Sequence, residues 1–404
     1  MNSHQSSRQG DVPVSRASLH VAIVGGGIGG LVAAGALHRH NIDVRVYEQA
    51  DALSEVGAGI ALQPNGIRAL RHLGFADDVA RRGARWVDPQ FRHADGSYAA
   101  SMWPPEIIGT IGFYGMHRAD LLEILISRLP GDIAKTGHRC IGFEQDNAQA
   151  VIHFANGARA QADVVVAADG IHSALQQFVV APSVPLPSGS IAYRGVVSAA
   201  SVAWPQGAMR NWLGAGKHFL AYPVRAGELI NYVGFVRTSE EMKESWSAPG
   251  DPRALAAEFA GWDPMIGAII AQVGKTFRWG LYDREPLPTW TRGRLALLGD
   301  AAHPMLPHGG QGANQAIEDG ITLAAVLSRA DPASVPRALQ VYENLRRERC
   351  ARIQREARVN GARYDAGDTD LANRNRQLAA LAQERVWIWN HDAEAEALKA
   401  VGAL

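Results

Sequence analysis

Two glycine-rich turns, each closing an apolar run and lying about 270 residues apart, constrain this chain more than anything else in it. The first is Val21-Ala-Ile-Val-Gly-Gly-Gly-Ile-Gly-Gly30. A strand over His20–Val24 runs into a Gly-x-Gly-x-x-Gly turn, and Leu31, Ala34 and Leu37 continue at helical spacing. Gly25 permits the tight turn, Gly27 lets backbone approach a pyrophosphate, and Gly30 lets helix and strand pack closely. A second strand over Val44–Tyr47 ends at Glu48, 18 residues past Gly30. A carboxylate at that point accepts hydrogen bonds from ribose hydroxyls and repels a 2′-phosphate. The pattern predicts a site for an ADP moiety.

The second turn is Arg294-Leu-Ala-Leu-Leu-Gly-Asp-Ala-Ala-His-Pro304, followed by Gly309-Gly-Gln-Gly-Ala-Asn314. Leu295–Leu298 reads as a buried parallel strand, and Gly299 allows a sharp exit. Asp300 then presents a carboxylate at the strand's carboxyl end, where open α/β sheets bind ligands; a polyol such as ribityl is its natural partner. The helix that follows carries Ala313, Ala316, Ile317, Ile321 and Ala324 on its apolar side. Its exposed first N–H groups favour negative charge, and the pyrimidine ring of a reduced flavin carries such a charge. A ligand long enough to be held at both turns is FAD, which fits better than NAD. The chain reads as a flavoprotein.

At 404 residues the chain suits two interlocked domains, and 40 basic against 40 acidic residues give no electrostatic footprint for nucleic acid. Cys140 and Cys350 lack metal-ligand spacing and cannot form a disulfide framework, which predicts a reducing, cytoplasmic setting and no metal. No apolar run approaches the ~18 residues that would span a bilayer. Residues 1–18 are polar and read as a disordered tail without a signal sequence.

Along the chain, residues 57–65 read as a loop, Gly66–Leu73 as a helix, and 84–106 as irregular with a hairpin turn at Asp95-Gly96. His117-Arg118-Ala-Asp120 opens a helix. Strands fill Cys140–Ala168, with a hairpin at Asn156-Gly157. Alternating stretches such as Phe219–Tyr222 and Ile230–Phe235 predict an antiparallel sheet between about 183 and 284. Residues 285–365 return to strand and long helix, where Leu345-Arg-Arg-Glu-Arg349 reads as a solvated face, and 366–404 look helical.

These motifs, in this order, resemble the class A FAD-dependent aromatic hydroxylases. The similarity is nearest the branch containing salicylate hydroxylase, 3-hydroxybenzoate 6-hydroxylase and 6-hydroxynicotinate 3-monooxygenase. It spans roughly residues 20–350, through both glycine turns, Gly57-Ala-Gly-Ile60 with Pro64-Asn65, His117-Arg118-Ala-Asp120, Ala168-Asp169-Gly170-Ile-His-Ser173, Tyr282-Asp-Arg-Glu-Pro286 and Glu318-Asp319. The resemblance implies an α/β fold: a Rossmann-like FAD-binding domain of glutathione-reductase type (19–75, 107–182, 285–365) interleaved with a mainly antiparallel substrate domain (76–106, 183–284), plus a C-terminal helical segment (366–404).

It further implies that Glu48 contacts the adenosine ribose, Arg118 the phosphate and ribityl region, and Asp300 the ribityl chain. Gly312, Ala313 and Asn314 would lie at the pyrimidine edge of the flavin. Asp169 belongs to the motif linked with both the FAD pyrophosphate and the nicotinamide donor. The family's usual Arg three residues after Ser173 is Gln176 here. The implied activity is hydroxylation of a small phenolic or N-heteroaromatic acid with NADH or NADPH and O2 through a flavin hydroperoxide, commonly by a homodimer. An FAD-dependent oxidase or reductase on the same scaffold and a non-catalytic flavin-binding regulator remain alternatives.

Such a hydroxylase needs water kept from the cofactor and a base for the substrate's phenolic proton. His218 is the leading candidate among 14 histidines. Tyr222, four residues on in the same strand, faces the same way by the period of two. The matching positions in the branch are a His and a Tyr that contact the substrate's ring hydroxyl. A sheet histidine bonded to backbone and a packing tyrosine are the plain alternatives. His308, in the loop between Asp300 and the second glycine turn, is the next candidate, as catalyst or substrate selector. His303 reads as fixing the turn. Arg194 is either a carboxylate ligand or an interdomain contact.

Overall fold

In the computed structural model, the described residues are 19–53, 58–239, 248–367 and 371–402. The predicted N-terminal tail and Gly57 lie outside them.

The four apolar residues Val21–Val24 are fully buried because their strand, His20–Val24, is central in a six-stranded sheet. It pairs in parallel with Asp43–Tyr47 on one side and Val164–Ala167 on the other. Leu295–Leu297 adds in parallel to Val164–Ala167, so the two glycine turns leave the same end of one sheet, two strands apart. The helix Ile28–Arg39 packs against the helix Gly312–Leu327, where a Cβ on Gly320 would lie 2.8 Å from the Ala33 nitrogen. That close approach explains a glycine in mid-helix despite its cost there.

An eight-stranded, mainly antiparallel sheet forms the second layer. In its strand Lys217–Val224, Phe219 and Ala221 enter an apolar cluster with Leu255, Phe259 and Ile266. The two helices on that side, Pro252–Glu258 and Pro264–Ala271, begin with Pro and are capped by Asp251 and Asp263. His218, Leu220 and Tyr222 therefore face the opposite side, toward the glycine turns.

Three expectations are corrected. Residues 84–106 are not irregular: they hold strands Ala84–Trp86, Asp88–His93 and Tyr98–Ser101. Pro89 and the polar Gln90 and Arg92 conceal the middle strand, which pairs with Tyr98–Ser101 across the expected Asp95-Gly96 turn and, in parallel, with Ala208–Gly214 from over a hundred residues away. The expected loop 57–65 contains the strand Gly59–Leu62, paired with Phe113–His117, and the following helix starts at Pro64 and ends at His72. Arg346 and Arg349 are not solvated. Arg346 is 1% exposed, because the helix Val335–Tyr364 turns that face onto Gly312–Leu327.

Candidate active site

The fingerprint glycines behave as their spacing requires. Gly25 sits at φ +110°, and a Cβ there would collide with the Ala168 carbonyl oxygen at 2.2 Å; on Gly30 it would meet the Gly25 oxygen at 2.1 Å. At Gly27 the same position is open, with no atom of another described residue within 4 Å. Gly27 borders two cavities, one of about 400 Å³ and one of about 310 Å³, and Ala168 and Gly170 also line both. The cavities thus meet at the turn and give a long ligand a continuous bed.

The smaller cavity is bordered by Glu48, Cys140 and Asp169. The Glu48 carboxylate accepts hydrogen bonds from the Gly26 N–H (2.7 Å) and the Ala50 N–H (2.9 Å), which hold it in place with lone pairs to spare. Asp169 accepts from the Ala174 N–H at 2.8 Å, while its buried Oδ1 has no partner among the described residues. Burial raises the Asp169 pKa, against the pull of Ser173. Gln176 ties this loop to the second turn, donating from Nε2 to the Ala301 oxygen at 2.8 Å.

The larger cavity begins at Gly27 and Gly29 and passes Arg118, Asp300, Gly312 and Ala313. Two helices start on its wall, Ile28–Arg39 and Gly312–Leu327, both without a capping side chain or an acid in the first turn. Their first N–H groups are left for a ligand with negative charge. Asp300 opens onto the cavity, yet the surrounding protein still pushes its pKa up, offset by His303 and Arg118. Asn314 sits in the first turn of the helix Gly312–Leu327. Its side chain is consumed within the protein, accepting from Gln63 N–H and donating to Ala61 and Gly310 oxygens, so only its backbone is left for a ligand.

At the far end the cavity reaches His218, Tyr222 and His308. His218 is 1% exposed and stacks on Phe235 with ring centroids 4.2 Å apart. Its Nδ1 lies 2.7 Å from Oδ1 of Asp365. A carboxylate partner places a proton on Nδ1, so in the neutral ring the lone pair lies on Nε2. The His308 ring lies 5.1 Å from His218; burial and then the neighbouring His218 hold its pKa well below the usual histidine value. Gly361 admits that ring, since a Cβ there would lie 2.6 Å from it. Tyr222 packs edge-on against Trp86, and Trp86, Trp103 and Phe113 continue as a parallel stack. Burial raises the Tyr222 pKa. Arg194 lines the cavity over the Trp279 ring at 4.6 Å.

Sequence reasoning missed Asp365, Trp86 and Trp103. Asp365 follows the last turn of a long helix and carries no local signal, while both tryptophans fall in the segment read as irregular.

Behind the second turn, His303 Nε2 and Asp319 Oδ2 lie 2.6 Å apart and Gly299 N–H donates to the same oxygen at 3.0 Å, which anchors the turn as expected for His303. Ligand atoms of His303, Asp319 and Cys350 lie within 4.8 Å of one another. Arg346 already fills the role of cation there, 2.7 Å from Asp319, 2.5 Å from Glu318 and 3.5 Å from the Cys350 sulfur. The cluster is an ion-pair network.

Residues 18–357 match the family model described as an FAD binding domain. The chain is 35% identical to a salicylate hydroxylase of Pseudomonas putida, over 96% of this chain and 95% of that protein. It is 36% identical to a 3-amino-4-hydroxybenzoate 2-monooxygenase of Streptomyces platensis (92% and 96%) and 32% identical to a 6-hydroxynicotinate 3-monooxygenase of Bordetella bronchiseptica (84% and 91%). Among solved structures, a salicylate hydroxylase substrate complex superposes with a TM-score of 0.83 at 29% identity, covering 95% of this chain and 98% of that one. HpxO of Klebsiella pneumoniae, complexed with FAD and uric acid, gives 0.81 at 29% identity, covering 95% and 97%. With its two glycine turns meeting along one ligand bed, the chain belongs to the FAD-binding family of flavin-dependent aromatic monooxygenases.

Proposed function

We propose that this enzyme hydroxylates a small phenolic or N-heteroaromatic acid, taking electrons from NADH or NADPH and oxygen from O2. Bound FAD supplies the redox and oxygen-transfer chemistry; the protein binds, orients and excludes water. Glu48 holds the adenosine ribose, and Gly25, Gly27 and Gly30 form the turn beneath the pyrophosphate, with Asp169 beside it. Arg118 and Asp300 hold the ribityl region. The N–H groups at Gly312, Ala313 and Asn314 face the flavin pyrimidine edge. The partnerless Asp169 oxygen and the open backbone at Gly27 fit such a ligand.

At the substrate end, His218 takes the ring-hydroxyl proton at Nε2 while Asp365 fixes the tautomer through Nδ1. Tyr222 hydrogen-bonds the same hydroxyl, and its raised pKa keeps it a donor at neutral pH. His308, held neutral by burial, shapes the pocket and selects the substrate. The wall of Trp86, Trp103 and Phe235 keeps water out. The observation that carries this reading is the His218–Asp365 pair at the far end of a cavity that begins at the dinucleotide turn. The helices among the described residues include none long and apolar enough to cross a membrane. Both cysteines are buried free thiols, which fits a reducing cytoplasm, and a homodimer is proposed by analogy with the family.

Salicylate, 3-amino-4-hydroxybenzoate and 6-hydroxynicotinate should be screened for stimulation of NADH and NADPH oxidation, with hydroxylated product and peroxide quantified. Product formed in step with donor consumed is the expected result. Oxygen uptake without a nicotinamide donor would point to an oxidase, and bound FAD without substrate-stimulated turnover to a regulator.

A further inference from the structure

Arg385 lies between the helices Leu371–Glu384 and Val386–Trp389, beyond residue 357 where the match to the family's FAD binding domain ends. It is only 6% exposed, and it lines the large cavity. Its hydrogen-bond partner among the described residues is the Tyr364 hydroxyl, 3.2 Å from Nη2, and it forms no ion pair with any described carboxylate. Glu356, which borders a small adjoining cavity with it, is engaged by Arg352 at 2.9 Å. A buried guanidinium without a counter-ion is costly, and buried charges in proteins are ordinarily paired. The charge faces a cavity, so the missing anion has a place to come from.

The location narrows what that anion is. Tyr364 is the residue before Asp365, and its ring lies 5.4 Å from His218 and 6.2 Å from His308. A Cβ on Gly309 would sit 3.8 Å from Arg385 Nη2, so the guanidinium abuts the backbone of the second glycine turn. Arg385 thus stands on the wall that carries the proton-handling histidine, away from the fingerprint glycines. We propose that Arg385 is the anion-recognition residue of the substrate site, binding the carboxylate of an aromatic acid whose ring hydroxyl reaches His218. The planar fork of N–H donors suits a carboxylate in two-point contact, and Tyr364 fixes one arm of the fork in advance. The identification of the anion as substrate rests on the hydroxylase reading above; the existence of an anion site does not.

The test uses the FAD-loaded enzyme and two ligands of one shape, benzoate and benzamide, titrated by perturbation of the flavin absorbance. Wild-type enzyme should bind benzoate roughly ten- to hundredfold more tightly than benzamide, the value of a charge-assisted hydrogen bond. Arg385→Gln should erase that preference, and Arg385→Lys should keep part of it. Because no ion pair is broken, Arg385→Gln should melt at or above the wild-type temperature. Equal binding of the two ligands by wild type, or a preference that survives in Arg385→Gln, would overturn the proposal. Should Arg385→Gln fail to fold, the wild-type comparison and Arg385→Lys still decide it. An Arg385-dependent preference for benzoate, in an enzyme whose donor oxidation no aromatic acid stimulates, would support the anion site and overturn the hydroxylase reading.

Discussion

The Nδ1 of His218 and the Oδ1 of Asp365 lie 2.7 Å apart across 147 residues of sequence, joining a sheet strand to the end of a long helix. Asp365 touches the histidine from behind and does not line the cavity. Replacing it with Asn lets an amide N–H donate to Nδ1, which moves the ring proton to Nε2 and removes the lone pair the reaction needs. Asp365→Asn should retain FAD and lower hydroxylation by about 10²-fold or more, with an altered pH–rate profile. An unchanged profile at full flavin content would reduce Asp365 to a packing role.

His218→Ala removes the proposed base itself. FAD should stay bound, substrate should stimulate donor oxidation poorly, and oxygen should be diverted into peroxide. General acid–base assistance is typically worth ~10²–10⁴-fold, and part of the loss should return at high pH, where the free phenolate forms unaided. Unchanged coupling and pH dependence in this variant would move the role of base to His308.

The two ends of the ligand bed can be weakened separately. Asp300→Ala removes the acceptor proposed for the ribityl region and Glu48→Ala the one proposed for the ribose, each a charge-assisted bond worth ~1.5–3 kcal/mol. Both variants should lose flavin on dilution or gel filtration faster than wild type. Full, equally tight flavin content in both would exclude the two-ended arrangement.

Acid should unfold the protein partly through Glu318. Burial alone would raise its pKa, but Arg346, then Arg349 and His391, overcome that and bring it down to about 2. A carboxylate with a depressed folded-state pKa stabilises fully above its unfolded value near 4.5, and this contribution is lost as pH falls toward 2. The amount is on the order of 3 kcal/mol. Glu318→Gln should therefore be less stable at pH 7 and show a flatter decline in melting temperature below pH 4.5. A parallel decline in both proteins would assign the acid sensitivity elsewhere.

The fingerprint was legible because it is local: strand, turn, helix and acid fall within 30 residues, with Gly25 and Gly30 in close backbone contact and Gly27 open. His218 and Tyr222 were legible through the period of a strand. What escaped depends on partners far along the chain. Asp88–His93 is held between its hairpin partner Tyr98–Ser101 and the distant Ala208–Gly214, and a run of arginines looks solvated until Glu318 and Asp319 are seen opposite. Asp365 and Arg385 carry no motif; only their burial against the cavity wall marks them.

One helix, Val335–Tyr364, carries Arg346 against the second glycine turn's helix and delivers Asp365 to His218. Each residue of an α-helix advances the direction of a side chain by about 100°. Adding or deleting a single residue between these two positions would keep every local preference and still swing the carboxylate away from the imidazole. The helix therefore acts as a gauge block: its length in residues is itself a component of the His218–Asp365 geometry, intolerant of insertion where its exposed face is free to change composition.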